Sequence, residues 1–465
     1  RLLDRLGLGV LTVSSATLLA FLLAPMAISA AIGAAAVVVL LAGAWIGVLG
    51  WLTLALGRRR PLEVFQALRL RSAPVVTLLV VLPLVASLVQ NAPSLHAVRF
   101  AAEGSLPERP SLAEAYRDWY TGDSCATAVG GVRVKPLVLV AAEGGGIRAA
   151  TWTVDVLREL PAAGECASRA VFASTGASGG SIGLASFRTE GNARGGGAEQ
   201  STIDFAGDDA LAADLAGLLT SDLVGAVSGI RIPSSGAPHV DGWAWRDRTA
   251  MQETTWESQA PQFAEPFDAT PVEPTGYLVL GSTDAASLCK VLVSQLDLSA
   301  GGWAQTDAGG APLSPASPDC ASRKAEFAST IDLVDYLGPG CGAGLTWATA
   351  AELSARFPFV SPGGRFSSAT LPEGCRRIAD LQLVDGGSTD NSALGTWVDV
   401  APALTALIRE TNAEADGAAR PYVVPVLLFA TNEPGSDVVV APDGSRPEAL
   451  VPLAAIFGAK GPQTS

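Results

Sequence analysis

Residues 6–56 contain no charged side chain. A membrane helix needs about 20 apolar residues, so this run is too long for one span and fits two. The expected spans are 6–24 and 31–56, with a hairpin around Pro25-Met26-Ala27. A signal peptide or a buried soluble helix does not reach this length. A third apolar run, 73–89, contains Pro83, which a membrane helix tolerates better than a soluble one, and is barely long enough to cross, so an interfacial helix is the alternative there. Residues 1–90 are therefore expected to form a helical transmembrane region.

Charge is divided along the same line. Residues 1–100 hold eight arginines against Asp4 and Glu63, whereas the remainder carries a net charge of −20. An acidic domain of that size lacks the basic face that nucleic acid requires, so no nucleic-acid partner is expected. Arg58, Arg59, Arg60, Arg69 and Arg71 share one loop with a single acid, Glu63. The positive-inside rule puts that loop in the cytoplasm. The third span would then carry everything after it to the extracytoplasmic side. The chain starts at Arg1, so further spans upstream stay open, and the orientation is read from the loop.

All six cysteines (Cys125, Cys166, Cys289, Cys320, Cys341 and Cys375) follow the apolar region. No Cys-x-x-Cys pair occurs and the two histidines are His96 and His239, so no metal site is expected. Up to three disulfides among fifteen pairings, or six buried thiols, both fit this count.

Residues 91–134 read as a tether with a short helical stretch near 112–119. From 135 to 465, apolar strands alternate with helical stretches, the signature of a mainly parallel α/β sheet. Strands are expected at 136–142, 171–175, 277–281, 291–296, 381–384 and 423–430. Residues 195–242, rich in Gly, Asp and Ser, read as an insertion of short helices and loops.

Three glycine motifs sit at strand ends. Gly176-Ala177-Ser178-Gly179-Gly180 follows an apolar strand and precedes a helical run, the context in which a tight turn presents a serine. Gly144-Gly145-Gly146-Ile147-Arg148 follows the first strand. As an oxyanion site its amides would converge at a helix N-terminus. Gly144-x-Gly146-x-x-Ala149 also fits a dinucleotide fingerprint, but the next strand ends without the acid that would hold a ribose. Asp385-Gly386-Gly387 puts an acid after a strand, where a serine's base is needed. Neither His96 nor His239 follows a late strand as a triad histidine does, so a Ser–Asp dyad is the economical reading. A solvated carboxylate, with a pKa of about 3.9, is a weak base, so Asp385 is expected in a partly apolar pocket.

In order and spacing these motifs resemble the bacterial patatin-like phospholipases, which are lipid acyl hydrolases. Residues 137–154, 355–362 and 385–394 are similar to that family's membrane-associated members, and the resemblance covers 136–434. It implies a three-layer α/β/α domain with a mainly parallel sheet. Ser178 would be the nucleophile and Asp385 the base, with Gly144, Gly145 and Gly146 as the oxyanion hole. Arg148 matches the basic motif position, and Gly176, Gly180, Gly386 and Gly387 shape the turns. No cofactor is implied; the substrates would be membrane lipids, and the site would be integral to the bacterial cytoplasmic membrane. A catalytically silent receptor or scaffold on the same fold, and an acyltransferase, are the alternatives.

Overall fold

A computed structural model describes residues 2–432 except 59, 62, 68, 71, 88–97, 102–104, 123–124, 195–202, 206, 208–209, 229–246, 299–329, 339, 358–359, 367–370, 376–380 and 418. His96, His239 and Cys320 lie outside the described residues. The chain divides into two compact units. One comprises Arg1–Arg99, Ala206–Ser258 and Phe359–Pro362; the other comprises Phe100–Phe205, Gln259–Pro358 and Gly363–Ser465.

In the first unit, α1 (Leu2–Leu23) packs on α2 (Pro25–Gly57). The break falls at Ala24, slightly before the expected hairpin. Pro25 opens α2, where its missing N–H costs nothing. The chain bends instead at Gly33, whose φ of 76° lies in the left-handed region that glycine enters freely. Both helices are long and apolar enough to cross a membrane, and Leu6, Val13, Leu23, Val39, Ile46 and Leu54 are exposed on them. The third apolar run is helical over Val75–Ser87, 13 residues. At 1.5 Å per residue that is about 20 Å, less than a hydrocarbon core of about 30 Å. Residues 88 and 89 of the expected 73–89 span lie outside the described residues.

The second unit is built on one nine-stranded sheet. Its strands are β1 (Thr127–Val129), β2 (Val132–Ala142), β3 (Val171–Ala177), β4 (Tyr277–Asp284), β5 (Lys290–Ser294), β6 (Thr330–Asp332), β7 (Gly364–Phe366), β8 (Leu381–Asp385) and β9 (Tyr422–Ala430). The centre, in the order β9, β2, β3, β4, is parallel. The flanks are mixed: β5 and β8 both run antiparallel to β4. For β5 the cause is the short link between Asp284 and Lys290, which closes a hairpin but not a crossover.

Leu137, Leu139 and Ala141 of β2 share a buried cluster with Phe172, Tyr277 and Val279. The helices Leu112–Thr121 and Leu394–Ala413 close it through Tyr116, Trp397, Val400 and Leu404. By strand alternation, Val140 and Ala142, equally buried, serve the opposite face. There the helices Gly146–Ala162 and Gly179–Arg194 pack on each other. Residues 105–121, expected as part of a tether, pack into this fold. Ser111 and Glu114 form a capping box that starts the helix, and Leu112, Ala115 and Tyr116 recur at helical spacing into the core. Arg109 binds Asp332 at 2.8 Å and donates to the carbonyl of Leu296.

The described cysteines are oxidised. Cys125 bonds Cys166 and Cys341 bonds Cys375; Cys289 is also in a disulfide, and no described cysteine is free. The buried-thiol alternative is thereby set aside for these residues.

Candidate active site

Sheet topology brings a serine and an aspartate together. β3 pairs with β4 up to Ala177 opposite Gly281, then leaves the sheet at Ser178. On β4 the next position, Ser282, pairs with Asp385 of β8. The other edge of β4 is held there by β5, so β8 takes the slot that β3 vacates. Asp385 consequently arrives beside the turn where the chain leaves β3. Sequence reading placed the acid at the carboxyl end of a strand without giving that strand a direction; the antiparallel direction of β8 is what returns Asp385 to the sheet rim.

The contact is direct. The Ser178 hydroxyl donates to Asp385 Oδ2 at 2.6 Å, and the Gly387 N–H donates to Oδ1 at 2.8 Å. Ser178 is 7% exposed and Asp385 4%, so the hydrogen bond is shielded from competing water. Ser178 holds φ at 51°, a left-handed conformation that non-glycine residues adopt at a cost and that clusters at functional turns. Close backbone approach explains two of the flanking glycines. A Cβ on Gly180 would stand 2.3 Å from the Ala142 carbonyl oxygen, and one on Gly386 would stand 2.0 Å from that of Gly281. Gly176 ends up paired with Ala142 and Leu280 inside the sheet.

The triple-glycine bend divides its amides. The Gly144 N–H donates to the Asn391 carbonyl at 2.8 Å. Its place in the expected three-residue oxyanion hole is therefore corrected: that donor is already used. Gly145 and Gly146 open the helix Gly146–Ala162 with φ of 157° and 64°. Both are exposed, and no described residue accepts from either amide. Gly144 lies close enough to Ser178 that a Cβ there would meet the serine Cβ at 3.1 Å. Gly146 in turn packs against Gly179, the residue after Ser178, and backbone amides at such a bend can stabilise an oxyanion formed at a serine's target.

Four supporting residues escaped sequence reading. Ser354, at the end of the helix Trp347–Ser354, accepts from the Ser178 N–H at 3.0 Å, and its carbonyl accepts from the Gly386 N–H at 2.9 Å. Its hydroxyl also contacts Ser181 Oγ and the Gly281 carbonyl. Ser354 thus ties the serine turn, the aspartate turn and the end of β4 at one point. Glu143 accepts from the Asn432 N–H at 2.7 Å and from the Thr431 hydroxyl at 2.8 Å. Arg148 donates through Nε to Asn432 Oδ1 at 2.9 Å. Asn432 in turn lies against the Gly144 carbonyl, so Arg148 steadies the bend at one remove. Asn391 holds the bend through its own carbonyl. Ser354, Glu143, Asn432 and Asn391 have no local signal, because each contact spans much of the chain, whereas Arg148 was found through its motif.

Among the described residues no cluster of His, Cys, Asp or Glu could hold a metal ion. The chain matches no protein-family model and no curated protein sequence.

Proposed function

We propose that this chain is a membrane-anchored serine acyl hydrolase acting on lipid esters, with the three-layer fold of the patatin-like phospholipases. The observation that carries this reading is the 2.6 Å hydrogen bond from Ser178 to Asp385, made at a turn that packs against the triple-glycine bend.

In the proposed reaction Asp385 Oδ2 takes the proton of Ser178 as the serine oxygen attacks the ester carbonyl. The carbonyl oxygen gains the negative charge and accepts from the Gly145 and Gly146 amides. The tetrahedral adduct expels the alcohol, which leaves with the proton from Asp385. Water then attacks the acyl-serine, giving its proton to the same carboxylate, and the released serine recovers a proton as the fatty acid leaves. An ester suits this dyad better than an amide, because an alkoxide is the better leaving group. The tethering of such a site by α1 and α2 would hold it at its substrate's surface. The oxidised cysteines support an extracytoplasmic domain, since disulfides persist in oxidising compartments.

Two measurements test the proposal. The full chain, reconstituted in phospholipid vesicles, is expected to release free fatty acid and to react with a fluorophosphonate at Ser178. Absence of both would leave the silent-scaffold alternative; transfer of the acyl group to an alcohol in place of water would make it an acyltransferase.

Ser354→Ala is expected to lower kcat while leaving KM nearly unchanged. It strands the buried Ser178 N–H, at a cost of about 1–3 kcal/mol, which allows the serine turn to drift from Asp385. Steady-state kinetics with a soluble ester read the effect. An unchanged kcat with a lowered melting temperature would reduce Ser354 to a packing residue.

A further inference from the structure

The segment 206–258 interrupts the hydrolase region in sequence yet belongs to the unit of the N-terminal helices. It runs through the helix Ala212–Gly217, a π turn over Leu218–Asp222 and the helix Leu223–Ser228. Its burial is the reverse of a water-facing helix. Between residues 211 and 226 the polar side chains, Asp214, Thr220, Ser221 and Asp222, are all buried. The exposed residues are Leu223 and Ala226; Leu211, Leu218 and Val224 are half-buried, and Leu215 and Leu219 pack partly buried against the hairpin. A surface helix in water turns its polar side outward. Contact with acyl chains demands the opposite, with ionisable groups turned inward and paired. Here Asp222 pairs with Arg248, whose Nε donates to the Val360 carbonyl at 2.7 Å.

The same stretch is docked on the apolar hairpin. Ala212 and Ala216 pack with Phe21, Val37 and Leu41, small residues that allow close helix approach. The Trp45 indole N–H donates to the Leu219 carbonyl at 2.7 Å. Val37, Leu41 and Trp45 lie between the Gly33 bend and the middle of the helical segment that follows it, in the half away from Arg58, Arg59 and Arg60.

We infer that residues 211–226 are themselves embedded in the bilayer leaflet on the side of the hairpin turn, with Leu223 and Ala226 in contact with acyl chains. The inference rests on the reading of α1 and α2 as membrane spans. It gives the hydrolase region a lipid contact of its own, separate in sequence from the N-terminal anchor. It also agrees with the proposed orientation, because the engaged half of α2 is the one opposite the arginine-rich loop.

The test uses the full chain in phospholipid nanodiscs, with a nitroxide label on a single introduced cysteine. Leu223→Cys and Ala226→Cys probe the insertion, Val39→Cys probes α2, and Val398→Cys, exposed on the helix Leu394–Ala413, reports the aqueous domain. Collision with oxygen is expected to dominate at 223 and 226 as at 39, and collision with a water-soluble nickel chelate to dominate at 398. Nickel accessibility at both 223 and 226, with oxygen dominant at 39, would overturn the inference and leave the hairpin reading intact. Nickel accessibility at 39 as well would overturn the hairpin reading and the inference with it.

Discussion

Asp385→Asn is expected to lower kcat for a short-chain acyl ester by about 10⁴-fold, and Ser178→Ala by at least as much. The two substitutions remove different things. Without the hydroxyl there is no atom to acylate. With asparagine at 385, Oδ1 can still accept from the Gly387 N–H at its present 2.8 Å, so the turn keeps its shape. The atom facing Ser178, however, becomes an amide nitrogen, which donates and has no lone pair for the serine proton. The side chains are of nearly equal size, and Asp385 is bonded through its backbone to the Arg356 carbonyl at 3.0 Å. Folding should therefore survive, and matched thermal melts with kinetics separate the two effects. Fluorophosphonate labelling should vanish in Ser178→Ala and slow sharply in Asp385→Asn. Turnover of Asp385→Asn within about tenfold of the parent would show that another group accepts the proton, and the dyad assignment would fall.

Ser178 and Asp385 were legible because each sits in a short pattern whose glycines have a steric cause. Gly180 and Gly386 press against backbone carbonyls, and that requirement is written in the sequence beside the functional residue. Strand positions were legible for a similar reason: buried strands such as β2, β3 and β4 read as continuous apolar runs. Direction was not. Nothing within 381–384 distinguishes a strand parallel to β4 from one antiparallel to it, since pairing is decided by residues a hundred positions away. The use of the Gly144 amide by Asn391 was hidden in the same way. A triple glycine announces an accessible backbone without saying which amides are already bonded. The composition of 195–242 gave an insertion of short helices and loops, and short helices form over 212–228; that its acids Asp214 and Asp222 are turned inward is a matter of burial that composition does not carry.

Loss of the Cys341–Cys375 disulfide is expected to cost both stability and turnover, whereas loss of Cys125–Cys166 should cost stability alone. The bridges close loops of 34 and 41 residues, and loop-closure entropy assigns each about 4 kcal/mol. Their positions in the chain differ in consequence. Residues 341–375 include the helix Trp347–Ser354, whose last residue holds the Ser178 amide, and Arg356, whose carbonyl holds the Asp385 amide. A segment freed at both ends can move those two acceptors, and with them the distance between hydroxyl and carboxylate. Cys125 and Cys166 join the start of β1 to the residues leading into β3, on the far side of the strands from the rim that carries the site. Paired substitutions to alanine, each assayed by denaturant unfolding and by kcat, separate the two bridges. Equal loss of kcat from both would mean that turnover tracks global stability and that the 341–375 loop has no positioning role. The same variants bear on location: thiol blocking in intact cells should find the parent's cysteines already oxidised, as an extracytoplasmic domain requires, and free thiols there would place the domain in the cytoplasm.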